Sequence, residues 1–88
     1  MYKATTKNSV ISQPEVITPD GFASIFFKNL GADVAFVNDN IPVLPGSTFG
    51  FDNLPNVIIG EPMAVKFANV EADQRVLVIK TYFTPYKR

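Results

Sequence analysis

The sequence predicts an all-β protein, namely a small antiparallel β-sandwich of jelly-roll-like type with six to seven strands and an extended N-terminal arm. Three observations favour this class. Turn signals made of Gly, Pro, Asn and Asp recur at short, regular intervals along the chain. The segments between them are rich in β-branched and aromatic residues. No segment carries a sustained helical pattern of apolar residues, so helix is not expected to contribute.

The turns are predicted from residues that accept unusual backbone angles. Residues 18–21 (TPDG), 38–40 (NDN) and 45–47 (PGS) combine Pro, Gly, Asn and Asp in the order that tight turns favour. Strands are predicted between them in chain order at 22–28, 34–38, 41–44, 48–51, 63–67 and 75–83.

Two further segments leave alternatives open. Residues 57–62 (VIIGEP) are either a brief strand or a bend broken by Gly60 and Pro62. Residues 69–74 (NVEADQ) form either a helical turn or a loop. The strand at 75–83 is apolar on both faces over its first half, which is typical of a central strand covered on each side.

The chain is predicted to be one domain with an arm. Residues 21–88 are assigned to the sandwich, and residues 1–20 to an extended N-terminal arm with one edge strand around Ser9–Gln13. The arm is polar and carries Pro14 and Pro19, so we expect it to lie outside the core and to cross to a neighbouring subunit.

The composition argues against catalysis and against a metal centre. The chain has no Cys and no His, which removes the commonest metal ligands and the usual general base. Residues 38–40 and 51–53 offer oxygen ligands of the kind calcium prefers, but turn geometry explains them better. We therefore expect no enzyme activity, no cofactor, no metal and no small-molecule substrate.

No membrane segment is expected either. The longest apolar runs fall far short of the roughly 18 residues that a spanning helix needs, and the first residues lack the apolar region of a secretory signal. We expect a soluble protein made in a cytoplasm.

Adjacent aromatic residues predict an interface. Neighbouring residues of a strand point to opposite faces, so Phe26 with Phe27, and Tyr82 with Phe83, cannot all lie in one core. Core positions are expected for Phe36, Phe49, Phe51 and Phe67. Exposed apolar patches usually mark contacts between proteins, so we expect a homo-oligomer. The predicted assembly interface comprises Val10, Ile11, Phe26, Phe27, Tyr82, Phe83 and Tyr86.

Residues 22–83 resemble small β-sandwich virion structural proteins of bacteriophages that infect Bacteroidetes. The likeness lies in an Asn-x-Gly strand end, an IPVLPG-like hairpin, a Phe-x-Phe strand, a VKF-like strand and an LxVIxxxY-like closing strand. The matching residues are Asn29, Gly31, Leu44, Pro45, Gly46, Phe49, Phe51, Val65, Phe67, Leu77, Val78, Ile79 and Tyr82. The resemblance implies a minor capsid, penton or decoration protein, and the matching positions imply turns and core rather than catalysis.

The expected function is therefore that of a structural protein of a bacteriophage particle, located in the virion and made in the host cytoplasm. Its expected partners are copies of itself and other capsid proteins. One alternative is a receptor- or glycan-binding β-sandwich module of a spike. A further alternative is a small β-barrel that binds single-stranded nucleic acid through the segment 80–88 (KTYFTPYKR). The net charge of zero argues against nucleic acid as a partner.

Overall fold

The computed structural model describes residues 1–54, 57–69 and 73–85. These residues form strands joined by turns and loops, and none of them is helical. The predicted all-β class is confirmed. The eight strands are β1 (Tyr2–Ile11), β2 (Glu15–Ile17), β3 (Ser24–Asn29), β4 (Ala35–Val37), β5 (Ile41–Val43), β6 (Thr48–Phe51), β7 (Met63–Phe67) and β8 (Val76–Pro85).

The strands form two four-stranded antiparallel sheets. The long sheet has the order β1-β8-β3-β6 and the short sheet has the order β2-β7-β4-β5. The pairs β1 with β8, β2 with β7, β3 with β6, and β4 with β5 are nested like the two arms of one long hairpin. Winding such a hairpin into two sheets gives the eight-stranded jelly roll. The predicted jelly-roll-like sandwich is confirmed, with eight strands in place of the predicted six to seven.

The core lies between the two sheets and follows the two-residue period of the strands. In β3 the side chains of Ile25 and Phe27 are completely buried, while Phe26 between them faces outward. In β8 the same alternation buries Val76 and Val78. The buried cluster as a whole consists of Ile11, Ile17, Phe22, Ile25, Phe27, Ala35, Val37, Val43, Ile59, Met63, Val65, Val76 and Val78.

The predicted turns form where the residues tolerate positive φ angles. Asn38 and Asp39 have φ values of 53° and 68° and close the β4–β5 hairpin. Gly21 and Gly46 have φ values of 104° and 81° in the two other predicted turns. These are left-handed conformations that Gly, Asn and Asp adopt at lower cost than other residues do.

The first 20 residues are extended but do not form an arm separate from the sandwich. β1 pairs with β8 along its entire length, and β2 pairs with β7, so this segment supplies an edge strand to each sheet. The polar sequence of β1 hides its strand character, because nine of its ten side chains are exposed and only Ile11 is buried. Its Tyr, Thr and Val residues nevertheless have high β-propensity.

Three other expectations have different outcomes. Residues 57–62 form a bend rather than a strand, joined to the sandwich by the backbone hydrogen bond from Ile59 N to Phe22 O. Phe49, Phe51 and Phe67 pack against the core, whereas Phe36 faces outward from the short sheet, opposite Pro42 and Lys66. The predicted core position of Phe36 is therefore wrong. The helical turn considered at 69–74 falls largely on residues 70–72, which lie outside the described residues.

A buried asparagine connects the loop that follows β3 to the end of β5. The side-chain amide of Asn29 donates hydrogen bonds to the carbonyl oxygens of Asp33 (2.6 Å) and Val43 (2.9 Å). Its side-chain oxygen accepts the amide of Gly31 at 3.0 Å. All polar atoms of this buried side chain thus have partners, which offsets the cost of removing them from water.

Gly31 is required because another backbone segment lies against it. The amides of residues 30 and 31 donate to Arg75 O, and those of residues 32 and 33 donate to Asp73 O. A Cβ atom on Gly31 would overlap the carbonyl oxygen of Asp73 and lie 2.9 Å from Arg75 N. The Asn-x-Gly pattern at 29–31 therefore reflects this contact.

Gly31→Ala is expected to lower the free energy of unfolding by about 1–3 kcal/mol, because the added methyl group forces the two backbone segments apart. Equilibrium unfolding in urea measures the effect. Gly60→Ala is the matched control, since a Cβ there meets nothing within 4 Å. The control is expected to be neutral or slightly stabilising. Equal destabilisation by both substitutions would contradict the steric role of Gly31.

Candidate assembly surface

The outward face of the long sheet carries a group of apolar side chains. Because side chains alternate along a strand, the residues that flank the buried Val76, Val78 and Phe27 point away from the core. They are joined by one residue of β1. We define the apolar outer face as Val10, Phe26, Leu77, Ile79 and Phe83.

The strand register places four of these side chains in neighbouring positions, whereas Phe83 lies beyond Thr81, opposite Ala4. Val10 lies directly opposite Leu77 across the β1–β8 pair. Phe26 lies directly opposite Ile79 across the β3–β8 pair. Cβ atoms of such opposed residues are about 4.5–5.5 Å apart, so the side chains on this face pack against one another. Val10 remains 53% exposed, and the other four residues are half-buried.

Gly50 allows Phe26 to lie flat on the neighbouring strand. Gly50 is opposite Phe26 in the β3–β6 pair, and a Cβ atom on Gly50 would overlap the ring carbons of Phe26. The Phe-Gly-Phe sequence of β6 therefore has two functions. Phe49 and Phe51 pack inward against the core, and the glycine between them leaves room for an aromatic ring on the outside.

The outward face of the short sheet is smaller and also carries apolar side chains, namely Val16, Ala64, Phe36 and Pro42. Lys66 lies there opposite Phe36 and forms an ion pair with Asp39. The side chains of both members of this ion pair are largely exposed. Val16 is exposed on the edge strand of this face. A water-facing side of an antiparallel sheet is normally polar. The long sheet departs from this with four adjacent apolar side chains, Val10, Leu77, Ile79 and Phe26, beside which Lys28 lies opposite Leu77.

The predicted interface residues divide between the two sides of the long sheet. Val10, Phe26 and Phe83 lie on the apolar outer face, and Phe83 is separated from the other two by Thr81. Ile11 and Phe27 are 5% and 0% exposed in the chain's own core, and therefore offer no surface to a partner. The remaining two predicted residues are Tyr82 and Tyr86.

Tyr82 faces inward and closes the core where the short sheet ends. Its hydroxyl donates to the Asp20 carboxylate at 2.9 Å, and its ring packs edge-to-face on Phe22 with centroids 6.3 Å apart. The ammonium group of Lys7 lies 4.9 Å from the centre of the same ring. Lys80 lies over Phe22 and 3.9 Å from Asp20. Tyr86, together with the rest of the basic segment 86–88, lies outside the described residues.

These contacts occupy part of the segment considered for nucleic-acid binding. Lys80 and Tyr82 are both directed to Asp20 and Phe22 rather than to a groove. Burial, the hydrogen bond to Asp20 and the negative charge of Asp20 together raise the pKa of Tyr82 to about 12, and burial contributes most. The phenol therefore stays protonated and continues to donate at pH values well above neutral.

Sequence reasoning missed Leu77 and Ile79 as members of the surface. The sequence does contain a signal for them, because Leu77 and Ile79 are an even number of residues away from Phe83 along β8 and therefore share its face. The apolar residues on both faces of this strand predict a central strand that is covered on each side. In the described residues β8 is covered on its inner side alone.

A separate cleft of about 370 Å³ lies between the 38–40 turn and the segments at 51–53 and 57–61. Its polar lining includes Asn38, Asp52 and Glu61, and its apolar lining includes Phe51 and Ile58. The volume is in the range of small-ligand sites. The two turns considered as sources of calcium ligands thus meet in one place.

The polar groups of this cleft already have structural roles. Ser24 donates to Asp52 at 2.7 Å, and the Asn38 side-chain oxygen accepts the amide of Ala64 at 3.2 Å. Across residues 1–54, 57–69 and 73–85, there is no group of three or more acidic, His or Cys side chains that could hold a metal ion. Those same ranges contain no helix long and apolar enough to cross a membrane.

Comparison with models of protein families, with curated proteins and with solved structures finds no significant match to this chain.

Tyr82 is expected to make the free energy of unfolding depend on pH in the alkaline range. Its pKa is higher in the folded chain than the value of about 10 in an unfolded one. The protonated phenol of Tyr82 therefore contributes fully to the free energy of unfolding below pH 10, and this contribution is lost as the pH rises towards 12. Spectrophotometric titration is expected to detect one late-titrating phenol, which Tyr82→Phe removes and Tyr2→Phe retains. A late step that persists in Tyr82→Phe would contradict the assignment.

Proposed function

We propose that this chain is a structural subunit of a bacteriophage particle, of the minor capsid, penton or decoration type. It acts in the virion through contacts with copies of itself and with other capsid proteins. The observation that carries the proposal is the apolar outer face of the long sheet, Val10, Phe26, Leu77, Ile79 and Phe83.

An apolar sheet face on a small protein favours association, because removing apolar area from water stabilises a complex by roughly 25 cal/mol per Å² before the costs of association. The four neighbouring apolar side chains of this face, Val10, Leu77, Ile79 and Phe26, form the kind of patch that marks protein interfaces. Aromatic residues such as Phe26 and Phe83 are enriched in the centres of such interfaces.

Two further features support the phage assignment. Eight-stranded jelly rolls are common in viral capsid domains, although the same fold also occurs in lectins and other proteins. The resemblance of residues 22–83 to phage virion proteins involves positions that form turns and core here, including Asn29, Gly31 and Phe51. Both features agree with a subunit whose function lies in its shape and its surfaces.

A receptor- or glycan-binding module is the second candidate, and the cleft beside Phe51 favours it. This cleft combines one aromatic ring with amide and carboxylate groups from Asn38, Asp52 and Glu61. Sugars are bound by such combinations of apolar and hydrogen-bonding groups. The cleft is open and its polar groups are largely committed to the fold, so the assembly proposal has the stronger support.

The proposal predicts that a charge on the outer face weakens self-association. Val10→Glu places a carboxylate in the contact and is expected to weaken association at least about tenfold, which corresponds to about 1.4 kcal/mol. Val16→Glu is the matched control, because it makes the same change at an exposed valine of an edge strand on the other sheet. Light scattering coupled to size-exclusion chromatography gives the solution mass of each protein.

The expected result is an oligomeric wild type, an equally oligomeric Val16→Glu variant and a dissociated Val10→Glu variant. A wild-type chain that remains monomeric at high concentration would contradict the proposal. That result would favour the second candidate, a receptor- or glycan-binding module that uses the cleft beside Phe51. Equal dissociation of both variants would show that the contact is not confined to the long sheet.

A further inference from the structure

The four sheet edges of this molecule are unequal. β2, β5 and β6 are edge strands of three, three and four residues, and Pro42 further interrupts β5. Short edges and prolines are devices that prevent a second chain from adding to a sheet. β1 is the exception, because it is ten residues long and contains no proline.

One side of β1 is free to pair. β8 pairs with all ten residues of β1 on one side, and the long sheet ends with β1 on the other. Such an edge presents a row of backbone donors and acceptors to which another strand can bind. Nine of its ten side chains are exposed, and within residues 1–54, 57–69 and 73–85 no further strand covers it.

We propose that the free edge of β1 binds β1 of a second copy of this chain, in antiparallel orientation, about a two-fold axis at Thr6. The two long sheets then form one continuous sheet of eight strands. This inference rests on the proposed function, because it names the contact through which copies of the chain associate.

The lysines of β1 select this register. Opposed residues in a continuous sheet must share a face, so the axis passes through a residue and not between two residues. An axis at Thr5 would place Lys3 directly opposite Lys7, and an axis at Lys7 would place that residue opposite itself. Like charges in direct opposition are destabilising. An axis at Thr6 instead places Lys3 opposite Ser9 and Lys7 opposite Thr5.

The same register extends the apolar outer face across the two copies. It places Tyr2 of each chain directly opposite Val10 of the other, and both side chains are exposed in the single chain, by 44% and 53%. Pairs of an aromatic with a β-branched residue are among the favourable cross-strand contacts. Val10 also lies opposite Leu77 of its own chain, so the apolar side chains of the two copies become contiguous.

The shape of the molecule supports the same partner. β3 pairs with β8 only as far as Thr81, so Tyr2–Thr5 and Tyr82–Pro85 continue as a ribbon of two strands. This ribbon contributes to a long dimension of 51 Å against widths of 20 and 16 Å. Isolated two-stranded ribbons are only marginally stable in water, and a third strand stabilises them.

Pairing about Thr6 supplies that third strand to both ribbons. Tyr2–Thr5 of one copy then pairs with residues 7–10 of the other. In that second copy, residues 7–10 also pair with β8, which pairs in turn with β3. Each copy thus stabilises the part of its partner that the single chain leaves least supported. A contact of this kind is isologous and closes as a dimer.

A single cysteine tests the register, because the natural chain has none. Directly opposed residues of antiparallel strands have Cα atoms about 4.5–5.5 Å apart, a separation that a disulfide spans. Thr6→Cys is therefore expected to form a covalent dimer in a glutathione redox buffer. Ala4→Cys and Asn8→Cys are matched controls on the same face of the same strand. Each control residue is displaced from its counterpart in the other copy by four residues, or about 14 Å, and is not expected to cross-link with itself.

Mixing the two controls gives a positive test of the same geometry. Ala4 of one copy lies opposite Asn8 of the other, so an equal mixture of Ala4→Cys and Asn8→Cys is expected to form the mixed disulfide. Non-reducing mass spectrometry distinguishes this species from the two homodimers. The mixed species is expected to exceed each homodimer at least about tenfold, because only opposed residues meet the distance limit.

Charge substitutions at Ser9 provide an independent readout without a covalent bond. Ser9→Glu places a carboxylate opposite each Lys3 and is expected to tighten association, whereas Ser9→Lys is expected to weaken it. Both changes are at an exposed position, so circular dichroism is expected to show an unchanged β-sheet spectrum.

The outcomes separate this inference from the proposed function. Cross-linking by Thr6→Cys and by the mixed pair, but not by either control alone, supports the Thr6 register. An oligomeric wild type in which Thr6→Cys does not cross-link overturns this inference and leaves assembly through the outer face intact. Self-linking of either control variant overturns the register. A monomeric wild type without cross-linking overturns both proposals.

Discussion

The ten-residue ladder between β1 and β8 is the contact on which the rest of the structure depends. It joins the two ends of the described chain, and the other strand pairs are nested inside it. Pairs this distant in sequence form only after a large loss of chain entropy. The inner contacts compensate for that loss, namely the core around Phe27 and Val78 and the closure of its open end by Tyr82 on Phe22.

The same ladder determines what the molecule presents to a partner. Because β1 occupies one edge of the long sheet, β8 is an interior strand as far as Thr81, and its outward side chains Leu77 and Ile79 lie in the middle of a broad face. Phe83 lies beyond Thr81, on the two-stranded ribbon. The register to β3 adds Phe26 to that face. An apolar face and a long open edge thus adjoin each other, and a partner that pairs with the edge of β1 also contacts the apolar residues beside it.

The fold was largely predictable from local signals, and the site was predictable only in part. Some features depend only on residues that are close in sequence, and these can be predicted from it. They are the turns at Asn38, Asp39 and Gly46 and the alternation of buried and exposed side chains in 63–67. β1 was underestimated because its strand character arises from pairing with residues some 70 positions away rather than from an apolar pattern of its own. Adjacent aromatics such as Phe26 and Phe27 revealed that one of each pair faces outward, but only the register decides which.

Amide hydrogen exchange of β1, resolved by residue and followed over a range of protein concentrations, tests the account most directly. In a lone chain the β1 amides that point away from β8 face water and exchange rapidly. The account predicts that these amides become protected as the concentration rises, around Thr6 and outward to Tyr2 and Val10, while core amides such as that of Phe27 do not change. Rapid exchange along the free edge of β1 at every concentration, in a chain that nevertheless associates, would contradict edge pairing.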